Sequence, residues 1–390
     1  MRRIFFHLIV LMMVLINIPS EAASMFKKPL TSEERNLLSN PIEFNRKIGK
    51  QEWKLVDRTM SDIHLDGLDI YGGEMRNVDI LLTKMDNMHF KDFIFNKVRF
   101  HEGRIKNTIF ENVTFKDCEF ILEELIGDKC VRCKFIGTKI TRSTGEKTGY
   151  FQTEFSSHVE NESSYNEMEF VDVTYTDASF GDANHPLQYY DSNFTNYALR
   201  NVDGFVKYGS KRIRKLSIVG GELGVNFYGD MEDITVEKTK KIDLSFGGGQ
   251  KKIERISIKN IDLVGNLSFA KGNDIQNIRI ENIGRLFDLN LDGKIKNLVI
   301  KNCQVIDLGF EKAEIIEGVI FERSPIKGMA ADDSLFKGIS FVDSDIYDYL
   351  YLRRNTFEGL TFKNSVVRPG TEIVDENNQY KTATKFHVEE

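Results

Sequence analysis

Large apolar residues recur on every fifth position between residues 60 and 120, a period that belongs neither to an α-helix nor to a flat strand. The series is Leu65, Ile70, Met75, Ile80, Met85, Phe90, Phe95, Phe100, Ile105, Phe110, Phe115 and Phe120. Two residues before each stands a second, often smaller residue, from Ile63, Leu68 and Gly73 to Thr108, Val113 and Cys118. A chain with this pattern turns every five residues. The position just before the smaller residue agrees: nine of the twelve are Gly, Asn or Asp, the exceptions being Leu82, Lys97 and Glu102. Those residue types tolerate unusual backbone angles or bond their own backbone at corners. Four such sides close a square coil of about twenty residues, with two side chains per side pointing inward.

This register resembles that of the pentapeptide-repeat proteins, in which a central Leu or Phe follows a small residue by two positions and Asp or Asn adjoins. The resemblance implies an all-β chain folded as a right-handed parallel β-solenoid with quadrilateral coils. The small slot is often Val, Met or Phe here, which implies wider or less regular coils. The second half repeats the theme at coil length, through an apolar-x-x-apolar-x-apolar phrase. It runs from Ile213/Leu216/Ile218 to Phe357/Leu360/Phe362 in eight occurrences, with starts separated by 18, 22, 22, 20, 21, 20 and 21 residues. One solenoid of roughly fourteen coils is expected through both halves. A stacked interior accounts for the 29 phenylalanines without invoking any function.

Residues 1–23 read as a signal peptide: Arg2 and Arg3 precede an apolar stretch to Ile18, followed by Pro19 and small residues at Ser20, Ala22 and Ala23. An exported protein, periplasmic or extracellular, is expected, with no membrane span once the leader is removed. Residues 24–58 form the expected N-terminal cap, including a short helix announced by Thr31 and Glu34 in capping-box spacing. The pentapeptide-like solenoid covers 59–180 and continues over 211–367, and 368–390 is a C-terminal cap or tail. Residues 141–166, rich in Thr, Ser, Glu and Asn, and the interruption at 181–210 are expected loops.

A hydrophobic content of 41% excludes wholesale disorder, and a net charge of -6 argues against a nucleic-acid partner. Cys130 and Cys133 are the closest pair of cysteines, and an oxidising compartment would allow a disulfide between them. Their C-x2-C lacks the second half of a zinc signature, and no metal, cofactor or catalytic residue is expected. Asp243, Asp288, Asp307 and Asp348 recur at one point of successive coils, as paired carboxylates of a sugar-cleaving enzyme would. Gly224, Asn266 and Gly328 fill the same slot between them, so the slot is read as a corner. The same reading makes Asn260, Asn282, Asn302 and Asn364 a ladder of corner amides. His185, Tyr189, Tyr190 and Tyr197, within the 181–210 interruption, are the candidate binding residues. The expected function is a non-enzymatic structural or interaction scaffold for a protein or an envelope polysaccharide. The alternatives are a secreted polysaccharide lyase or hydrolase and, from the family resemblance, an acidic DNA mimic.

Overall fold

A computed structural model describes residues 27–48, 51–121 and 123–381; the expected leader lies outside the described residues. The chain divides into two compact units, Met1–Lys139 and Ile140–Glu390. Both are parallel β-solenoids, with about 16 turns of about 20 residues between them.

The first unit opens with two short helices. Helix α1 (Ser32–Leu38) starts at a capping box in which Thr31 accepts the Glu34 N–H and the Glu34 carboxylate accepts the Thr31 N–H. Helix α2 (Pro41–Lys47) is capped by Asn40 and sets Phe44 edge-on to Trp53, ring centres 5.5 Å apart. Trp53 and Leu55 are already buried in the inward slots of a strand, so coiling begins at residue 53 and not at 59.

From there the five-residue register holds in space as in sequence. Leu65 pairs with Met85, Ile70 with Phe90, Met75 with Phe95 and Ile80 with Phe100, one per side of the coil. The next turn continues these columns as Ile105, Phe110, Phe115 and Phe120. Identical rings therefore stack one coil apart, as Phe95 on Phe115 at 4.9 Å and Phe115 on Phe135 at 4.6 Å. These distances match the strand spacing of about 4.8 Å, so stacking and backbone pairing reinforce each other. The corner residues take left-handed angles, including the three exceptions: φ is +50° at Leu82, +55° at Lys97 and +53° at Glu102.

The small slot has a second task, to satisfy backbone groups that the ladder leaves unpaired. In the second unit the N–H of Cys303 donates to Ser324 Oγ, that of Ser324 to Ser344 Oγ, and that of Ser344 to Ser365 Oγ, at 2.8–3.1 Å. In the first unit two buried acids do the same work. Glu123 Oε1 accepts the Gly103 N–H and Asp128 Oδ1 the Thr108 N–H, at 2.9 and 2.7 Å.

The second unit corrects both expected loops. Residues 141–166 are regular sides, with Tyr150, Phe155 and Tyr165 buried in the large slot and Ser143, Thr148, Thr153, His158 and Ser163 in the small one. The stretch reads as polar because its inward slots hold hydroxyls, and because Glu160 takes a large slot. That buried carboxylate accepts the Tyr165 hydroxyl and lies 3.2 Å from His158 Nε2. The irregularity expected over 181–210 shrinks to a few residues around an Asx turn, in which Asp182 Oδ1 accepts the N–H groups of Asn184 and His185. Pairing then skips 24 residues, Tyr165 to Tyr189 and Phe170 to Phe194, and the chain re-enters the coil in the strands Leu187–Arg200 and Gly204–Val219.

Later coils merge their sides into strands of up to 18 residues, such as Lys252–Phe269 and Asp274–Leu291. Ile253, Ile275, Ile295, Ile316, Phe336 and Phe357 form one buried column there. Glu372–Glu376 and Gln379–Tyr380 pair in parallel with the preceding strands, so the expected tail contributes another turn through Tyr380. The corner amides bond as expected: Asn282 Nδ2 donates to Asn260 Oδ1, and Asn302 Nδ2 to Asn282 Oδ1, both at 3.0 Å. Asn364 donates instead to Asp343, at 3.1 Å.

Candidate functional site

One lateral face of the second unit carries rows of outward side chains that follow one another from coil to coil. The first row runs Phe205, Gly224, Asp243, then Asn266, Asp288, Asp307, Gly328 and Tyr349, with strand bulges beside Asp243 and Gly328. The second, two residues on, runs Lys207, Asn226, Ser245, Ser268, Asn290, Gly309, Ala330 and Tyr351.

The acidic series is therefore no corner ladder. Asp243, Asp288 and Asp307 lie inside the strands Lys241–Phe246, Asp274–Leu291 and Val305–Glu311, while the left-handed corners are Asn260, Asn282 and Asn302. Asp348 leaves the row, because a bulge brings Tyr349 opposite Gly328. Glycine occurs in this row for space, not for turning: a Cβ on Gly328 would lie 1.9 Å from the Tyr349 ring, and one on Gly224 2.3 Å from the Phe205 ring. The aromatic rings of Tyr349 and Phe205 occupy the space over these glycines.

Where the second row narrows to Gly309 and Ala330, the face sinks into an open groove of about 740 Å³. Its lining includes Asn266, Ser268, Asn290, Asp292, Tyr351 and Arg353. Tyr351 closes one end, its ring centre 5.0 Å from that of Tyr349 and the planes 31° from parallel. The Tyr349 hydroxyl donates to Asp307 Oδ1 at 2.8 Å. The Glu372 carboxylate near the Tyr351 hydroxyl pushes its phenol above the usual range. Along the rim, Glu311, Asp332 and Arg353 pair in register on successive coils. Half-burial pushes the Asp292 carboxyl upward, although it accepts the Glu311 N–H at 2.9 Å. The groove thus offers amides, hydroxyls, carboxylates and ring faces. Among the described residues, no three His, Cys, Asp or Glu side chains converge as metal ligands.

The residues expected to bind are dispersed. Tyr189 and Tyr197 are each only 1% exposed, so they belong to the interior and not to a surface loop. Tyr189 stacks between Tyr165 and Tyr208, at 5.5 Å from each. Tyr190 is 47% exposed and bonds Gln188, and His185 is exposed on the Asx turn beside Asp182. Outward and inward positions alternate along a strand, which separates Tyr190 from its neighbour. Cys130 and Cys133, the pair for which the sequence allows a disulfide, occupy successive inward slots as two buried thiols. Burial pushes the Cys130 thiol well up, and Cys133 Sγ donates to the Phe110 carbonyl at 3.3 Å. The groove residues escaped sequence reasoning because Gly309 and Ala330 carry no chemical signal. Only their place between two inward residues, Leu308 and Phe310 for one and Met329 and Ala331 for the other, could have placed them outward.

No family model matches the chain, and no curated protein matches it. Solved structures with a similar course include PfbA, a surface adhesin of Streptococcus pneumoniae, at 11% identity and TM-score 0.35 over 85% of this chain and 88% of that one. HetL, a pentapeptide-repeat protein of the cyanobacterium Nostoc, has 12% identity and TM-score 0.19 over 54% of this chain and 94% of that one. The tailspike of the E. coli bacteriophage HK620 has 12% identity and TM-score 0.27 over 86% of this chain and 76% of that one. These likenesses concern repeat architecture alone.

Proposed function

We propose that this chain is an exported, non-enzymatic binding solenoid that holds an elongated partner along the lateral face of its second unit. The observation that carries this reading is the groove over Gly309 and Ala330, because the coils on either side of it carry larger outward side chains in the same row. Its volume falls within the range of binding clefts, and its rows repeat at the strand spacing, which suits a ligand extended across several coils. Export rests on the leader read in residues 1–23. The test is Ala330→Arg, which fills the groove without touching the interior. Binding of envelope polysaccharides and envelope proteins should fall in this variant while its melting temperature stays that of the wild type. Unchanged binding of every ligand would refute the groove as the site.

A second reading, a polysaccharide-cleaving solenoid, draws on the register of Asp288 with Asp307 on adjacent strands. Carboxyls about 5 Å apart serve retaining glycosidases. The Tyr349 hydroxyl already holds Asp307, which favours an architectural role for that carboxylate. A depolymerisation assay with Asp307→Asn separates the two: cleavage by the wild type that the variant loses would establish the enzyme.

A further inference from the structure

We infer that the groove's ligand is an uncharged polysaccharide chain, with a sugar ring seated against Tyr351 and its hydroxyls bonded by the rows beside it. This rests on the binding reading above and adds the chemical class of the ligand.

The aromatic end of the groove supplies the first argument. Tyr349 is held over Gly328 by its bond to Asp307, and the Tyr351 ring packs against it with centres 5.0 Å apart, so both rings are positioned before any ligand arrives. Fixed rings lose little conformational entropy on binding, and their faces match the apolar faces of pyranose rings. Gly309 and Ala330 leave depth for such a ring beside Tyr351, where a larger side chain would fill it.

The polar rows supply the second. Asn266, Ser268 and Asn290 offer donors and acceptors at the coil repeat, and Asp288, Asp292 and Asp307 offer acceptors. A sugar hydroxyl can donate to a carboxylate in a charge-assisted hydrogen bond, which is stronger than a neutral one. The same carboxylates repel a polyanion. Around the groove Asp288, Asp292, Asp307 and Glu311 are set against Arg285 and Arg353, while Asp332 is paired with Arg354 at 2.7 Å. Nucleic acid and acidic polysaccharides are therefore disfavoured, whereas a neutral glycan meets only partners. A cationic polypeptide would satisfy the charges but leave the fixed rings and the small-residue floor unexplained.

The experiment is titration calorimetry of the full chain with neutral gluco-, manno- and chito-oligosaccharides, polygalacturonate and poly-lysine, at 0.1 and 0.5 M salt. At least one neutral oligosaccharide should bind, with an affinity that salt leaves unchanged. Tyr351→Ala should weaken it about tenfold, as expected for a central aromatic contact, and Tyr351→Phe, which keeps the ring, should weaken it less than threefold. Thermal melting of both variants checks that they fold. Absence of binding by every neutral oligosaccharide overturns the inference, as does binding that Tyr351→Ala leaves intact. Salt-sensitive binding of poly-lysine alone, lost in Ala330→Arg, would overturn the glycan while leaving the groove as the binding site. Polygalacturonate binding of equal strength would overturn the charge argument.

Discussion

Tyr349 reaches back over an intervening coil to donate its hydroxyl to Asp307 Oδ1, and it can do so only because Gly328 lies between them. Gly328→Ala should displace the ring and break that bond, at a cost of about 1–3 kcal/mol typical of overpacking. Tyr349→Phe removes the hydroxyl alone and should cost only about 1 kcal/mol. Urea denaturation of the two variants checks the order. Equal stability of Gly328→Ala and the wild type would show that the ring does not need the glycine.

The two lumen acids make the first unit sensitive to pH. Burial pushes Glu123 up to about 7 and Asp128 up to about 8, even though each accepts a backbone N–H. In the unfolded chain both ionise near pH 4. The folded state therefore holds protons that the unfolded state releases between about pH 4 and 8, and stability falls as pH rises through that window. Below pH 4 both states are protonated and the loss vanishes. Asp128→Asn keeps an acceptor for the Thr108 N–H without the charge. It should flatten the decline and raise stability at pH 8 by a few kcal/mol, as read from denaturation midpoints at pH 4, 6 and 8. A parallel decline in wild type and variant would place the sensitivity elsewhere.

The interior of the solenoid was legible because its signal is repeated: a misplaced residue at one coil is outvoted by the others. Even Leu82, Lys97 and Glu102, poor corner residues by type, sit at corners because the register demands it. The same logic extends beyond residue 180 with one change of phase. Asp191, Asn196 and Asn201 are left-handed corners, three residues before Phe194, Leu199 and the next large slot, in the pattern of the first half. The short insertion at the Asx turn moved that phase, so the tyrosines of 181–210 looked like loop residues. Residues 141–166 resemble a loop for a different reason: their composition is polar, although the five-residue register continues through them. The groove was hidden because outward positions are constrained by neighbours in space and not by periodicity.

Leu82 is strained where its neighbours are not. It holds φ at +50° with 56% of its surface exposed, in a conformation that costs roughly 1–2 kcal/mol for an ordinary L-residue. Asn tolerates this conformation, and at other corners its amide bonds the coil below, as Asn77 Nδ2 does to Asp57 Oδ1 at 2.6 Å. Leu82→Asn should therefore stabilise the first unit by about 0.5–1 kcal/mol. A lowered melting temperature would mean that Leu82 makes apolar contacts that outweigh its strain.

Tyr189 and Tyr190 are adjacent in sequence and opposite in fate, which makes them a direct test of the register after the insertion. Tyr189 is sealed in the ring stack that continues through Tyr208, Phe227, Phe246 and Phe269, with ring centres 4.7–5.6 Å apart. Tyr189→Ser would open a cavity in that stack and should cost about 3–5 kcal/mol. Tyr190 faces solvent and, among the described residues, its hydroxyl bonds Gln188 in its own strand, so Tyr190→Ser should change stability by no more than about 0.5 kcal/mol. Separate chemical denaturation of the single variants reads the difference. Equal losses would mean that both tyrosines are packed, and a larger loss for Tyr190 would reverse the assignment and shift every inward residue of Leu187–Arg200 by one position.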